Sequence, residues 1–347
     1  LFVILQTTFR TLVPEFRQSG HSADCNKSLS PLHMSSSFPL FRTPVELPDG
    51  HPILSATTRV VLLGSCFAIH MGDRLTVDLG NEGCCVNPFG VLYNPRSIFG
   101  ALQLLMTGEE EADRCLRDAL FEGRDGLWHS WLFSTHFSHP TAEGALKLMR
   151  KSVEQARDML LGHGQEGVHE PPILVLTFGT DRHYRLDECE GGLVVANCHK
   201  EPAARFREQE DELEALKSGF EQMFQELHQR IPGIKVILTV SPYRYRKYGF
   251  HESQLSKARL LLLCNDACKA HPEHVHYFPA YEMLNDELRD YRFYDADMLH
   301  PSLQAVAYIA ERFEAWCYDD SLRTLAEARR KAYKRDQHRQ ISGSITT

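Results

Sequence analysis

The chain of 347 residues lacks any apolar run approaching the ~20 residues that crossing a bilayer requires. Its apolar start, Leu1 to Leu5, is too short for a signal core and has no basic residue before it. The expectation is a cytoplasmic protein without membrane contact. An excess of basic residues is also missing. Thirty-eight Lys and Arg stand against 46 Asp and Glu, and the net charge of -8 argues against a broad nucleic-acid surface. The ten cysteines, among them the adjacent Cys84 and Cys85, lack the paired spacings of a zinc site or a disulfide framework. They read as reduced, buried thiols, and neither metal nor cofactor is expected.

What is present is an ordinary globular composition, with enough apolar material for a sizeable core. Residues 1–35 show neither helical nor strand period and close at Ser35-Ser36-Ser37. Met34 as the natural start and a disordered tail stand as equal readings. The globular domain is expected over 36–320, with an elaboration around 107–170. A basic tail, helical or disordered, follows over 321–347.

Within the domain, strands and helices alternate. Arg59 to Leu63 reads as a buried strand ending at Gly64, followed by a helix from Phe67 to Leu79. Cys84 to Val86 reads as a short strand, and Arg96 to Met106 as a helix after Pro95. Ala142 to Leu161 is a helix and Ile173 to Phe178 a buried strand. Gly192 to Ala196 has strand character. Apolar residues from Phe206 to Leu227 recur at helical spacing, which predicts one helix over Ala203 to Gln229. A strand at Ile234 to Val240, a helix at Glu252 to Ala270, a strand at Val275 to Phe278 and a helix at Ser302 to Asp319 complete the series. Repeated strand–helix–strand units imply an α/β fold: a mostly parallel sheet between two helical layers, a three-layer α/β/α sandwich. Function in such sheets gathers beyond the carboxyl ends of the strands.

Two segments there carry chemistry. Ser65 stands where the first strand turns into a helix, a place where backbone N–H groups can stabilise an oxyanion. The bland reading is a helix N-cap. Asp297 and His300, spaced as DxxH just before the last helix, can supply a base and the acceptor that fixes its tautomer.

Gly-Ser after the first strand with a C-terminal DxxH resembles the SGNH/GDSL hydrolase superfamily. More narrowly, the sequence resembles the GSCFA family through the run Gly64-Ser65-Cys66-Phe67-Ala68. Four further segments carry the likeness: Phe41 to Glu46, Asn87 to Pro95, Leu176 to Thr180, and Asp286 to Tyr294 leading into the DxxH. The resemblance implies an SGNH-like, flavodoxin-like fold and the triad Ser65, His300 and Asp297. It also implies an oxyanion hole from the N–H groups of Ser65 and Gly90 and an asparagine. Gly90 reads equally as a turn glycine. Where Gly-x-Asn-Asp is expected the chain has Gly179-Thr180-Asp181, and Asn94 and Asn197 are the substitutes by position. The implied substrate is an ester of a small molecule or carbohydrate. Acyl transfer by the same serine and ligand binding without turnover are the alternatives, and the oligomeric state stays open.

Other clusters read as structural. Cys189, Cys198 and His199 give no second ligand pair for zinc. Cys66 reads as core packing rather than a reactive thiol. The cluster from Trp128 to His139 is a mini-core or a pocket wall. Tyr243 to Tyr248 is a solvated loop or a holder for an anionic or sugar group. No motif in the basic tail supports nucleic-acid binding.

Overall fold

The computed structural model describes residues 42–162, 170–187 and 192–343. The Met34 start, Phe41 and Cys189 lie outside the described residues.

The chain runs β1 (Val60–Gly64), α1 (Cys66–Leu79), β2 (Cys84–Val86), α2 (Pro95–Met106), α3 (Glu109–Asp118), β3 (Leu120–Glu122), β4 (Trp128–Ser130) and α4 (Ala142–Leu161). It continues through β5 (Ile173–Phe178), β6 (Arg182–Leu186), β7 (Leu193–Val195), β8 (Phe206–Glu210), α5 (Leu213–Arg230), β9 (Lys235–Val240), α6 (Phe250–Ala270) and β10 (Val275–Tyr277). The short α7 (Ala280–Glu282) passes into a π-helical turn over Met283–Leu288, and α8 (Leu303–Cys317) and α9 (Asp320–Gly343) follow.

The central sheet has the order β10-β9-β5-β1-β2, with every pair parallel. Val60, Val61, Leu62 and Leu63 are all buried because both faces of the sheet are covered. Alternate residues point to opposite faces. Val61 and Leu63 join α2, α4, α5 and α6, whereas Val60 and Leu62 join α1, α8 and the start of α9. The three-layer α/β/α sandwich read from the sequence is the observed architecture. Within the stretch 107–170, α4 buries Leu146, Met149, Val153 and Leu160 in the main core.

The expected helix over Ala203 to Gln229 needs correction. A 3-10 turn (Ala203–Arg205) and β8 precede α5, which starts only at Leu213. β8 pairs antiparallel with β6, Phe206 opposite Leu186, in a side sheet of order β7-β6-β8. Phe206 packs its ring on Trp131 at 5.7 Å. Ladder bonds and burial against a partner some 20 residues away in sequence override the local helical period.

Counted along the central sheet, the chain visits second, first, third, fourth and fifth strands in spatial order. The order reverses between β1 and β5, which is where such sheets bind ligands.

Candidate active site at the end of the first strand

Ser65 lies at that reversal. It is the N-cap of α1 with extended backbone, φ -70° and ψ -180°, but its side chain makes no capping bond. The residue is 2% exposed, and its Oγ is buried without a hydrogen-bond partner. An N-cap serine without a capping bond is not explained by helix termination.

The backbone around it is fixed from three sides. Gly64 N–H donates to Asn87 Oδ1 at 2.8 Å, and Leu92 N–H donates to the Gly64 carbonyl at 3.0 Å. Ser65 N–H donates to the Thr177 carbonyl on β5 at 3.2 Å. Gly64 is required here: its φ is +154°, and a Cβ would collide with the Thr177 carbonyl oxygen. On the β5 side, Gly179 and Thr180 N–H both donate to the Tyr93 carbonyl, at 2.8 and 3.0 Å.

Asp297 and His300 form a closed turn. The Asp297 carboxylate accepts the N–H of Leu299 at 2.8 Å and of His300 at 2.9 Å, while His300 Nδ1 lies 2.5 Å from Oδ2. The His300 N–H, its ring and the Leu299 N–H together hold the Asp297 carboxyl down to about 2. Arg244 pins the same turn, its backbone N–H on the Leu299 carbonyl and its guanidinium on the Met298 carbonyl at 3.0 Å. The His300 side chain is 41% exposed, so the histidine sits nearer solvent than the serine.

Tyr243 joins the two halves. Its ring lies 4.4 Å from the His300 ring, and its phenol is pushed up by burial, then by the Asp297 carboxylate and the Cys66 thiol. The DxxH turn and the β1–α1 junction thus act on one tyrosine.

A model of the GSCFA family matches residues 59–313. The chain belongs to the GSCFA family. No curated protein and no solved structure matches it.

In this GSCFA protein the other expected site residues have local partners. Gly90 N–H donates to the Asn87 carbonyl at 2.7 Å, closing a turn. Asn94 caps α2, its Oδ1 accepting the Ser97 N–H at 2.8 Å. Asn197 lies beyond β7 in the side sheet, where its Oδ1 accepts the His199 N–H at 2.7 Å. No hydrogen bond from these three residues reaches Ser65. The carboxylate of Asp181 is buried and paired with Arg259, so its charge is compensated.

The tyrosines of the Tyr243 to Tyr248 segment, read from the sequence as a solvated loop or a ligand holder, lie around the site together with Tyr93. Cys66 Sγ donates to the Tyr93 hydroxyl at 3.8 Å, and burial, followed by Cys66, pushes the Tyr93 phenol up. Burial also pushes Tyr245 well up and Tyr248 to about 12. The walls are therefore un-ionised phenols at neutral pH. Beneath them Lys257, 2% exposed, donates to the carbonyls of Gly179 at 2.6 Å and Ser241 at 2.7 Å, clamping the ends of β5 and β9 together. The Trp128 to His139 cluster holds a small apolar centre, with Phe121 stacked on Trp131 at 3.5 Å. Among the described residues, no group of three or more His, Cys, Asp or Glu is arranged to hold a metal ion, and no helix is long and apolar enough to cross a membrane.

Proposed function

We propose that this GSCFA protein is a serine hydrolase of the SGNH type that cleaves an acyl or acetyl ester of a small molecule or carbohydrate. The observation that carries the reading is the Ser65 hydroxyl, buried at a strand end, next to a helix N-terminus, and bonded to nothing. A buried hydroxyl without a partner costs roughly 1–3 kcal/mol, a cost that a purely structural serine has no reason to carry. In the proposed reaction Asp297 holds the proton of His300 on Nδ1, leaving Nε2 as the base. Nε2 takes the Ser65 proton as Oγ bonds to the ester carbonyl carbon. The tetrahedral intermediate then expels the alcohol, which receives that proton, and water releases the acyl group by the same route in reverse. The carbohydrate substrate rests on the superfamily resemblance alone.

A second reading, ligand binding without turnover, has one observation in its favour. The N–H groups of Ser65 and Gly90, both expected oxyanion donors, are occupied by the Thr177 and Asn87 carbonyls. Fluorophosphonate labelling followed by peptide mass spectrometry separates the two. The hydrolase requires a stoichiometric adduct on Ser65, lost in Ser65→Ala and strongly slowed in His300→Ala. A folded protein with Ser65 unlabelled supports the binder.

A further inference from the structure

With the expected amides occupied and Asp181 in place of an asparagine, the hydrolase needs another oxyanion donor. Ser65 Oγ has a counterpart: the Tyr245 hydroxyl is likewise buried and without a hydrogen-bond partner. Both residues border Gly179. The point that a Cβ on Gly179 would occupy lies 2.7 Å from the Tyr245 hydroxyl and 3.5 Å from Ser65 Cβ. Tyr245 Oη and Ser65 Cβ are therefore no more than about 6 Å apart. Only glycine allows this approach, because a Cβ on Gly179 would crowd the Tyr245 hydroxyl and lie 3.0 Å from the Tyr93 carbonyl oxygen. Two unpaired buried hydroxyls at one spot each carry a desolvation cost, and a polar ligand atom between them removes it.

We propose that Tyr245 is the oxyanion donor of this enzyme, taking the place of the missing asparagine. The inference rests on the hydrolase reading of Ser65. As Oγ bonds to the carbonyl carbon, the π pair moves onto the carbonyl oxygen and the Ser65 proton goes to His300. The Tyr245 O–H then donates to that oxygen and keeps its own proton. Its burial, which pushes the phenol well above its ordinary value, keeps the donor protonated throughout. Three neighbours hold the ring before substrate arrives. Tyr245 N–H donates to Ser253 Oγ at 3.2 Å, the Tyr248 ring stacks at 5.5 Å, and Lys257 Nζ lies 5.4 Å from the ring centre. Such preorganisation is what makes an oxyanion donor effective.

The test is Tyr245→Phe, which removes only the unpartnered oxygen, assayed with aryl acetates and with fluorophosphonate, whose attack also develops an anionic oxygen. The expected result is a kcat lower by about 10²–10³-fold with KM little changed. Ser65 phosphonylation slows in parallel, and thermal stability is equal to wild type or higher. Gly179→Ala, whose Cβ would crowd the Tyr245 hydroxyl and force the phenol to shift, is expected to lower kcat likewise. Activity of Tyr245→Phe within about threefold of wild type would overturn the assignment while leaving Ser65 as nucleophile. A wild-type protein that is folded but unlabelled at Ser65 would sink the hydrolase reading, and this assignment with it.

Discussion

Lys257 offers the sharpest energetic test of how the strand ends are held. Its ammonium is fully enclosed, and burial pushes its pKa down to about 7 from the ordinary 10.5. Between these two values the unfolded chain binds a proton that the folded chain does not. Stability therefore rises with pH across that window, is lowest where both states are protonated below about 7, and levels off above 10.5. The slope is at most one proton, ~1.4 kcal/mol per pH unit, so the whole window amounts to about 5 kcal/mol. Lys257→Met removes the titration but strips the Gly179 and Ser241 carbonyls of their donor, at roughly 1–3 kcal/mol each. Near pH 7 the losses largely offset the gain from no longer burying a charge. At pH 9.5 the variant is the less stable by several kcal/mol. Urea denaturation of wild type and variant at several pH values between 6 and ~9.5 measures the difference, in which other titrating groups cancel. A wild-type-minus-variant difference that stays constant over this range would refute the reasoning.

Four further outcomes follow from the site. Ser65→Ala loses no hydrogen bond, so urea denaturation is expected to show a change under ~1 kcal/mol, the usual worth of an N-cap; a loss well above that returns Ser65 to a structural role. Gly64→Ala combines a left-side φ with a clash on the Thr177 carbonyl and is expected to cost about 2–5 kcal/mol, read by chemical denaturation of whatever protein stays soluble. Asp297→Asn sets an amide against Nδ1, favours the wrong tautomer and should lower kcat by about 10²–10⁴ with KM unchanged. The depressed Asp297 pKa means that its hold on the DxxH turn is complete above the ordinary 3.8 and is lost as pH falls through about 2, which carboxyl-carbon NMR titration checks.

How much was legible depended on the range of the interactions involved. The strands β1, β5 and β9 are continuous β-branched and leucine runs, so their burial follows from composition alone. The helix period from Leu213 to Leu227 was equally plain, but extending it back to Ala203 failed because β8 exists only through its ladder with β6. Asp181 stands where the resemblance expects an asparagine, and the charge pairing it receives from Arg259, 78 residues on, is invisible to any local pattern. Gly90 and Asn197 matched by position, yet their bonds close local turns. The Tyr243 to Tyr248 segment was legible as a loop or ligand holder, but that Tyr245 meets Gly179 beside Ser65 is set by packing alone.

The sequence by itself determined the layer architecture, the family and the local geometry of the DxxH turn. These depend on residue periodicity and on contacts within a few positions. Tertiary structure alone decided that the sheet reverses its order between β1 and β5 at Ser65, and that the serine hydroxyl is left uncapped. It also decided which hydroxyl lies near Ser65 beside Gly179. Each is a meeting of strand ends more than a hundred residues apart, and what a side chain meets there is set by how the strands pack, not by its neighbours in the chain.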